Sequence, residues 1–368
     1  MRFSSIGSAC FLGVLCTAAA IACADGDEGG AGPKGASDLG GSAGASDGAA
    51  GDEARGGQGG TGNEAGAASG GGSSELEAVT IRFKAKMGNA EFACGQAYEA
   101  QGTVETTVLP QDLRFFVERV RLIDADDNEV PVVLDDRAPF QSKEVALLDF
   151  EDGSAACING NTELNSTITG KVPPGNYVGI VFSTAVPEHL NHADPTTLPA
   201  PLQAGGLSWG WLFGYRFIVA EVVAQPHHGG EGGAGGHGGA GATAAEGGGH
   251  HDAGAGGADS GHGPSIAGGL FHLGSIECSN SEEANFNAPP RTACAKPFRN
   301  EIRLEGFNAR QNVIVADVGA LFSDVDLSSE STCHSFGGAA CPTFFKAVGL
   351  DYATGDRIHG QTFFRVAE

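Results

Sequence analysis

Basic side chains are scarce in this sequence. Its 368 residues include 21 Lys and Arg against 45 Asp and Glu, which gives a formal net charge of −24. Binding to nucleic acid requires a basic surface, so this balance argues against a nucleic-acid partner. The acidic excess is typical of a soluble exported protein and is also compatible with the handling of cations.

Long helical periodicity is missing as well. Short runs of β-branched and aromatic residues recur instead, separated by turn signals rich in Gly, Pro, Asn and Asp. In the first run Val79, Ile81 and Phe83 alternate with polar or basic residues, as in a strand with one buried face. The pattern predicts an all-β fold, a single antiparallel β-sandwich-like domain over 76–368 with short helical pieces, one of them within 317–330.

The N-terminus has the pattern of a secretory signal. Arg2 precedes an apolar run too short to indicate a membrane span, and small residues lead up to Cys23. The segment 20–23 is similar to a bacterial lipobox, so we predict a lipoprotein signal peptide over 1–22 and lipidation of Cys23. Ordinary cleavage after the same small residues is the alternative. We expect an exported protein, lipid-anchored to the outer membrane and facing the periplasm or the cell surface.

Two segments have too few apolar residues to form a core. Residues 23–75 are almost entirely Gly, Ala, Ser and acid, which predicts a disordered tether between anchor and folded domain. Residues 225–265 form a Gly/His-rich insertion between two strand-like runs, which predicts a disordered loop. Weak accessory metal binding and a tolerated insertion are both compatible with this loop. Its histidines are His227, His228, His237, His250, His251 and His262.

The cysteines contain no CxxC pair, which argues against a four-cysteine zinc site or a redox dithiol. An even number of cysteines in the folded part of an exported chain favours disulfides. Six cysteines allow many pairings, and the sequence does not decide among them. The pairs that we favour are Cys94–Cys157, Cys278–Cys294 and Cys333–Cys341.

Tryptophan occurs only twice, as Trp209 and Trp211 within "GLSWGWLFGYRFIVAE". On a strand, residues two apart share a face, so both rings would lie on one side of a sheet. Packing considerations alone favour a place for both rings in the core.

Histidines add a second possibility. If 214–223 and 265–278 form a hairpin across the Gly/His-rich loop, His272 lies on a strand beside the tryptophans, and His192 lies in the loop that leads to them. Two imidazoles with a third ligand form a copper site. The sequence places no acid or base group near these histidines, which argues against a catalytic role.

The other histidines outside the insertion receive no role in this prediction. A single histidine is more often a core or surface side chain than a ligand. The residues concerned are His189, His334 and His359.

Four separated motifs in this order resemble the methanobactin-associated MbnP-like family, also described as four-Cys proteins of a metallo-mystery pair. The motifs are "FKAKMGNAEFACGQAY", "NHADPTTLPAPLQ", "LSWGWLFGYRFIVAE" and "FHLGSIEC". The resemblance covers 78–368 apart from the Gly/His-rich insertion. It implies an exported copper-binding protein of copper homeostasis, paired with a dihaem enzyme of the MauG/cytochrome c peroxidase type.

The resemblance also implies roles for individual residues. The partner enzyme oxidises the first Trp of the WxW motif, here Trp209, to kynurenine, and copper binding depends on that change. His192, His272 and the modified Trp209 are then the expected ligands of one copper ion, expected as Cu(I), with Trp211 and Tyr215 supporting the site. The family's four cysteines correspond to Cys94, Cys157, Cys278 and Cys294, with Cys333 and Cys341 as an additional pair.

The protein is expected to be a substrate of its partner rather than an enzyme. Two other interpretations stay open at this point. One is a mononuclear copper oxidase or oxygenase, and the other is a structural surface lipoprotein whose tryptophans only fill a core.

Overall fold

The computed structural model describes residues 75–225, 267–280 and 285–367, and these form two packed β-sheets. The strands are β1 (Glu77–Met87), β2 (Ala90–Glu91), β3 (Tyr98–Gln101), β4 (Thr106–Asp124), β5 (Glu129–Pro131), β6 (Val133–Leu134), β7 (Val145–Asp149), β8 (Thr167–Val172), β9 (Tyr177–Thr184), β10 (Arg216–Ala224), β11 (Gly268–Gly274), β12 (Asn300–Glu305), β13 (Val313–Asp317), β14 (Glu330–His334) and β15 (Phe364–Ala367). The helices are α1 (Glu188–Asn191), α2 (Val318–Phe322) and α3 (Cys341–Val348), with 3₁₀ turns at Pro195–Thr197 and Ala200–Gln203.

The predicted all-β class with short helices is confirmed. One sheet has the order β15-β13-β1-β8-β6, with β2 paired to β1. The other has the order β12-β9-β4-β10-β11-β14, and β3, β5 and β7 also pair with β4. Most pairs in the described ranges are antiparallel, as expected, but β1 runs parallel to β13 and β11 runs parallel to β14.

Aromatic rings from both sheets fill the space between them. Phe83 of β1 lies with its ring centroid 5.9 Å from Phe115 of β4 and 5.8 Å from Phe182 of β9. Phe364 of β15 lies 5.4 Å from Phe115 and 5.3 Å from Phe182. These edge-to-face contacts are worth about 0.5–1.5 kcal/mol each beyond burial, and they establish the sandwich core.

Strand β1 has the alternation of buried and exposed residues that the sequence predicts. Ile81 and Phe83 are buried while Arg82 and Lys84 are exposed, which is the predicted alternation. Strand β4 alternates poorly because it is the central strand, covered on both faces along most of its length. Its register also shifts near Arg119, which has a φ of 51°.

The predicted helix within 317–330 is α2. Asp317 ends β13 and caps the helix, since its side chain accepts a hydrogen bond from the backbone N–H of Ala320 at 3.1 Å. Such a cap satisfies one of the unpaired N–H groups in the first helical turn.

Within the described ranges, three disulfides join the pairs that we favoured. Cys94–Cys157 spans 63 residues, Cys278–Cys294 spans 16 and Cys333–Cys341 spans 8. The last of these links β14 to the first residue of α3, so it fixes the strand that ends at His334.

The predicted signal peptide, Cys23, the tether and the histidines of the Gly/His-rich insertion lie outside the described residues. None of the helices in the described ranges has the length and apolar character needed to cross a bilayer.

Candidate metal centre

The predicted hairpin across the Gly/His-rich insertion is confirmed. Strands β10 and β11 pair antiparallel, and His272 of β11 lies opposite Val219 of β10. His272 is buried, with 3% of its surface exposed. It therefore occupies a fixed position on the last strand but one of the larger sheet.

A second histidine, to which the sequence analysis gave no role, forms a pair with His272. Because β14 runs parallel to β11, His334 is the direct strand partner of His272. The Nδ1 atoms of the two rings lie 3.0 Å apart and the ring centroids 4.8 Å apart. Two imidazole nitrogens thus face each other at the edge of the sheet.

A carboxylate also lies beside His272, contrary to the sequence interpretation. Glu221 projects from β10, and its Oε1 lies 2.6 Å from Nε2 of His272. A carboxylate oxygen only accepts, so Nε2 of neutral His272 carries the proton. Its Nδ1 then accepts the hydrogen bond that the Nδ1–H of His334 donates. Carboxylates that hold a histidine in this way are typical partners of metal-binding imidazoles.

The electrostatic surroundings keep both imidazoles neutral. Partial burial of the His334 ring, with His272 and Arg216 close by, lowers its pKa to about 4, although the residue retains solvent exposure. Burial also lowers the pKa of His272, against the opposing effect of Glu221. Burial alone would raise the pKa of Glu221, but the hydrogen bond with His272 and nearby positive charges lower it overall. Neutral imidazoles are the form that binds metals.

The two tryptophans do not share a strand face, which corrects the sequence interpretation. They lie in a closed loop before β10, in which the N–H of Trp209 bonds to the carbonyl of Gly214 at 2.9 Å and the N–H of Gly214 bonds to the carbonyl of Gly210 at 2.8 Å. Gly210 has a φ of 95°, a conformation that glycine adopts easily and other residues rarely do. Trp209 and Trp211 are both half-buried, so neither belongs to the core.

Trp209 faces the histidine pair. Its ring centroid lies 6.3 Å from that of His272 and 4.7 Å from that of Phe336. The Arg216 guanidinium lies 5.7 Å from the same ring centroid, a cation–π contact. Gly274 leaves room for the indole, because a Cβ there would overlap with Cζ3 of Trp209.

Tyr215 supports this loop from behind. Its hydroxyl donates to the carbonyl of Leu202 at 2.6 Å, and its backbone N–H donates to Oδ1 of Asn191 at 2.9 Å. Burial raises the pKa of Tyr215 to about 12. The side chain therefore stays a phenol that anchors the loop to the preceding 3₁₀ turn.

His192 has different neighbours from those of His272, and its expected role as a ligand stays a prediction. Its Nδ1 lies 3.0 Å from the carbonyl oxygen of Trp211, and its Nε2 lies 3.0 Å from Nδ2 of Asn191 and 3.5 Å from Sγ of Cys294. The structure thus brings His272 together with Trp209, as expected, but supplies His334 instead of His192 as the second imidazole.

The two missed residues had weak sequence signals. Glu221 is a charged residue with apolar neighbours on both sides in β10, which is a sign of a specific partner. His334 follows Cys333 directly, and the parallel pairing of β11 with β14 joins residues 62 apart, which local spacing does not reveal. Two further histidines lie within the described residues: His189 pairs with Glu144 at 3.1 Å, and His359 is exposed.

The donor set is compatible with several transition metals. Neutral imidazole nitrogens suit copper, zinc, iron and nickel alike. Fold and site together define a β-sandwich protein with a candidate two-imidazole metal centre.

The family is shown by sequence. The family model described as MbnP matches residues 76–335, more than half of the chain, and the chain belongs to the MbnP family. The match ends just after His334, so α3 and β15 lie beyond it.

A solved structure has the same fold. MbnP from Methylosinus trichosporium is 24% identical, with a TM-score of 0.60, and the alignment covers 80% of this chain and 99% of that one. This likeness supports the architecture. Among the curated proteins compared with the chain, none matches it.

Proposed function

We propose that this protein binds one copper ion, as Cu(I), between His272 and His334 beside Trp209. The observation that carries the proposal is the 3.0 Å separation of the two Nδ1 atoms, with Glu221 holding His272 in the tautomer that presents a lone pair. Membership of the MbnP family supports copper as the metal. His192, the ligand expected from the resemblance, is not included in this proposal.

Trp209 is the residue that we propose to be converted to kynurenine. The partner's oxidation adds oxygen across the indole C2–C3 bond, and hydrolysis then releases the former C2 as formate. The net change is the loss of one carbon and the gain of one oxygen, and it leaves an aryl amine and a ketone beside His272. Trp209 is half-buried next to Phe336, which is 45% exposed, so a protein oxidant can approach the ring from outside. A packing side chain thereby becomes a donor group at the histidine pair.

The oxidant in this proposal is a dihaem partner of the MauG/cytochrome c peroxidase type. The protein is then the substrate of an enzyme and serves copper homeostasis after it has been modified. Export by the N-terminal signal and anchoring through Cys23 would place both proteins in the same compartment.

Mass spectrometry of the intact protein from the native host tests the modification. We expect a mass that corresponds to the gain of one oxygen and the loss of one carbon, located by peptide mapping at Trp209. The Trp209→Phe variant should lack this change, whereas Trp211→Phe should retain it. Unmodified Trp209 in protein produced together with its partner would overturn the kynurenine proposal.

Copper titration of the modified protein tests the ligands. His272→Ala should abolish stoichiometric copper binding without loss of the β fold, as measured by circular dichroism. Deletion of 227–262 should leave the tight site in place. Copper binding that survives His272→Ala would show that the ligand assignment is wrong.

A further inference from the structure

The second group of potential ligands consists of His192, Cys278 and Cys294. One nitrogen of His192 and the two sulfur atoms all lie within 4.8 Å of one another. The sulfur atoms are joined in a disulfide, so they are not thiolate ligands in this state. We propose that reduction of Cys278–Cys294 opens a second metal site, separate from the histidine pair, that binds a soft cation such as Cu(I) through two thiolates and His192.

His192 is already held in the orientation that a ligand needs. The carbonyl oxygen of Trp211 only accepts, so the proton lies on Nδ1 of His192 and the lone pair on Nε2, the atom 3.5 Å from Sγ of Cys294. Asn191 confirms this tautomer, because its Oδ1 accepts from the N–H of Tyr215 and its Nδ2 is left to donate to Nε2. A metal-binding histidine commonly donates its other ring N–H to a backbone carbonyl in this way.

The two cysteines are kept together by more than their disulfide. Ile276 and Lys296 exchange backbone hydrogen bonds at 2.9 and 3.3 Å, and Ala295 donates to the carbonyl of Glu277 at 3.2 Å. Farther along, Arg291 donates to the carbonyl of Ser279 at 2.9 Å. These bonds join the segments that carry Cys278 and Cys294 on both sides, so the sulfur atoms remain neighbours when the S–S bond is broken.

The surroundings favour a soft ion over a hard one. Leu212 is fully buried against both cysteines, and Phe213 packs against the same cluster. Cys278 is 9% exposed and Cys294 5% exposed. Two thiolates and an imidazole in an apolar pocket are a donor set that selects Cu(I) or zinc and disfavours oxygen-loving cations.

An external dithiol supplies the electrons and protons that reduce the Cys278–Cys294 disulfide. A thiolate of the reductant attacks one sulfur of Cys278–Cys294, the S–S bond breaks, and the two thiols of the reductant end as its own disulfide. Two electrons and two protons pass to the cysteines. Binding of the metal then displaces the thiol protons.

The test compares oxidised and reduced full-length protein. The reduced sample is freed of reductant without oxygen and titrated with Cu(I) against a chromogenic Cu(I) chelator. We expect it to bind one equivalent more than the oxidised sample and to show thiolate-to-copper charge-transfer absorption. Reduction also opens Cys333–Cys341 next to His334, so the contribution of Cys278 and Cys294 is taken as the difference between the wild type and the Cys278→Ser, Cys294→Ser variant in the same redox state.

Variants assign the extra equivalent. The double variant Cys278→Ser, Cys294→Ser should lose it, and His192→Gln should weaken it by roughly tenfold or more, because the sulfur atoms remain but the imidazole is missing. The matched control is Cys94→Ser, Cys157→Ser, which removes another disulfide and should retain the extra equivalent. If this control does not fold, the wild-type difference and His192→Gln decide the matter.

Three results would overturn the proposal. The first is an extra equivalent that persists in the Cys278→Ser, Cys294→Ser variant. The second is an affinity that does not respond to His192→Gln, since the site would then be a simple dithiol. The third is loss of the β-sheet circular dichroism on reduction, because the site depends on the surrounding fold.

Discussion

Nδ1 of His272 lies 3.0 Å from Nδ1 of His334 because the two residues are direct partners in the parallel pairing of β11 with β14. Both histidines lie on strands and not on loops. The strand register sets the distance, and Cys333–Cys341 fixes β14 next to α3. The fold therefore sets the positions of both rings, which would lower the cost of ordering them as the proposed ligands.

Removal of the His334 imidazole should lower the affinity for copper more than removal of a supporting group does. We expect His334→Gln to weaken copper binding by more than the roughly 10–100-fold that is typical for an outer partner. The control His189→Gln changes an exposed histidine paired with Glu144 and should bind as the wild type does. Equal affinities for both variants, measured by competition with a chelator, would contradict the assignment of His334.

Glu221 should influence the affinity for copper by orienting His272. We expect Glu221→Gln, which removes the charge and keeps the shape, to weaken copper binding roughly 10–100-fold. The ¹⁵N chemical shifts of His272 should show a partial shift of the proton from Nε2 to Nδ1. Glu305→Gln is the control, since that carboxylate is exposed and bonded to Arg303. A tautomer that does not respond to Glu221→Gln would rule out this positioning role.

Copper binding should resist acid better than binding to ordinary histidines does. The usual pKa of 6.5 is lowered to about 4 at His334, and burial lowers the pKa of His272 too, so both imidazoles take up protons at lower pH than ordinary histidines do. Protons compete with the metal only when the imidazoles titrate. We expect the apparent copper affinity to change little from neutral pH to roughly pH 5 and to fall as the pH approaches 4. A loss of affinity centred near pH 6.5 would contradict this environment.

The β class, the β10–β11 hairpin and the contact of Trp209 with His272 followed from the sequence because they depend on local alternation and on neighbours along the chain. The prediction that Trp209 and Trp211 share a strand face was wrong, because Gly210 and Gly214, both with positive φ, close a loop there. The spacing of the two tryptophans does not show whether the glycine between them continues a strand or ends it.

The histidine pairing could not be predicted for a different reason. His272 and His192 were combined because both lie in family-like motifs near the tryptophans. The actual partner, His334, is brought in by a parallel strand pairing whose register is determined by packing of the whole sheet. Such long-range pairing has no local sequence signal.

Gly274 should be essential for the position of Trp209. A Cβ at Gly274 would overlap with the indole and lie 2.6 Å from the carbonyl oxygen of Tyr215. We expect Gly274→Ala to lower the free energy of unfolding by about 1–3 kcal/mol, as is usual for overpacking, and to change the near-ultraviolet circular dichroism of Trp209. Gly205→Ala is the control, because a Cβ there meets no atom within 4 Å. If both variants have the wild-type spectrum and stability, the close contact is absent in solution.

Asp149 should make the fold less stable as the pH rises. Burial raises the pKa of Asp149 from 3.8 to about 7, although Arg114 and the N–H of Glu151 oppose this effect. Between these two values the folded state holds a proton that the unfolded state has released, so the contribution of Asp149 to the free energy of unfolding falls as the pH increases from about 4 to about 7.

Asp149→Asn separates this contribution from the opposite effect of His334, whose lowered pKa makes the fold more stable over the same rise in pH. Asparagine keeps the oxygen that accepts from the N–H of Glu151 at 3.0 Å, and it cannot ionise. In urea denaturation we expect the variant to gain stability over the wild type as the pH rises from about 4 to about 7. The control Asp326→Asn alters an exposed carboxylate that accepts from the N–H of Ser328, so it separates the loss of a surface charge from the loss of the buried carboxyl at Asp149. A constant difference for Asp149→Asn would mean that this carboxyl titrates normally in the folded protein.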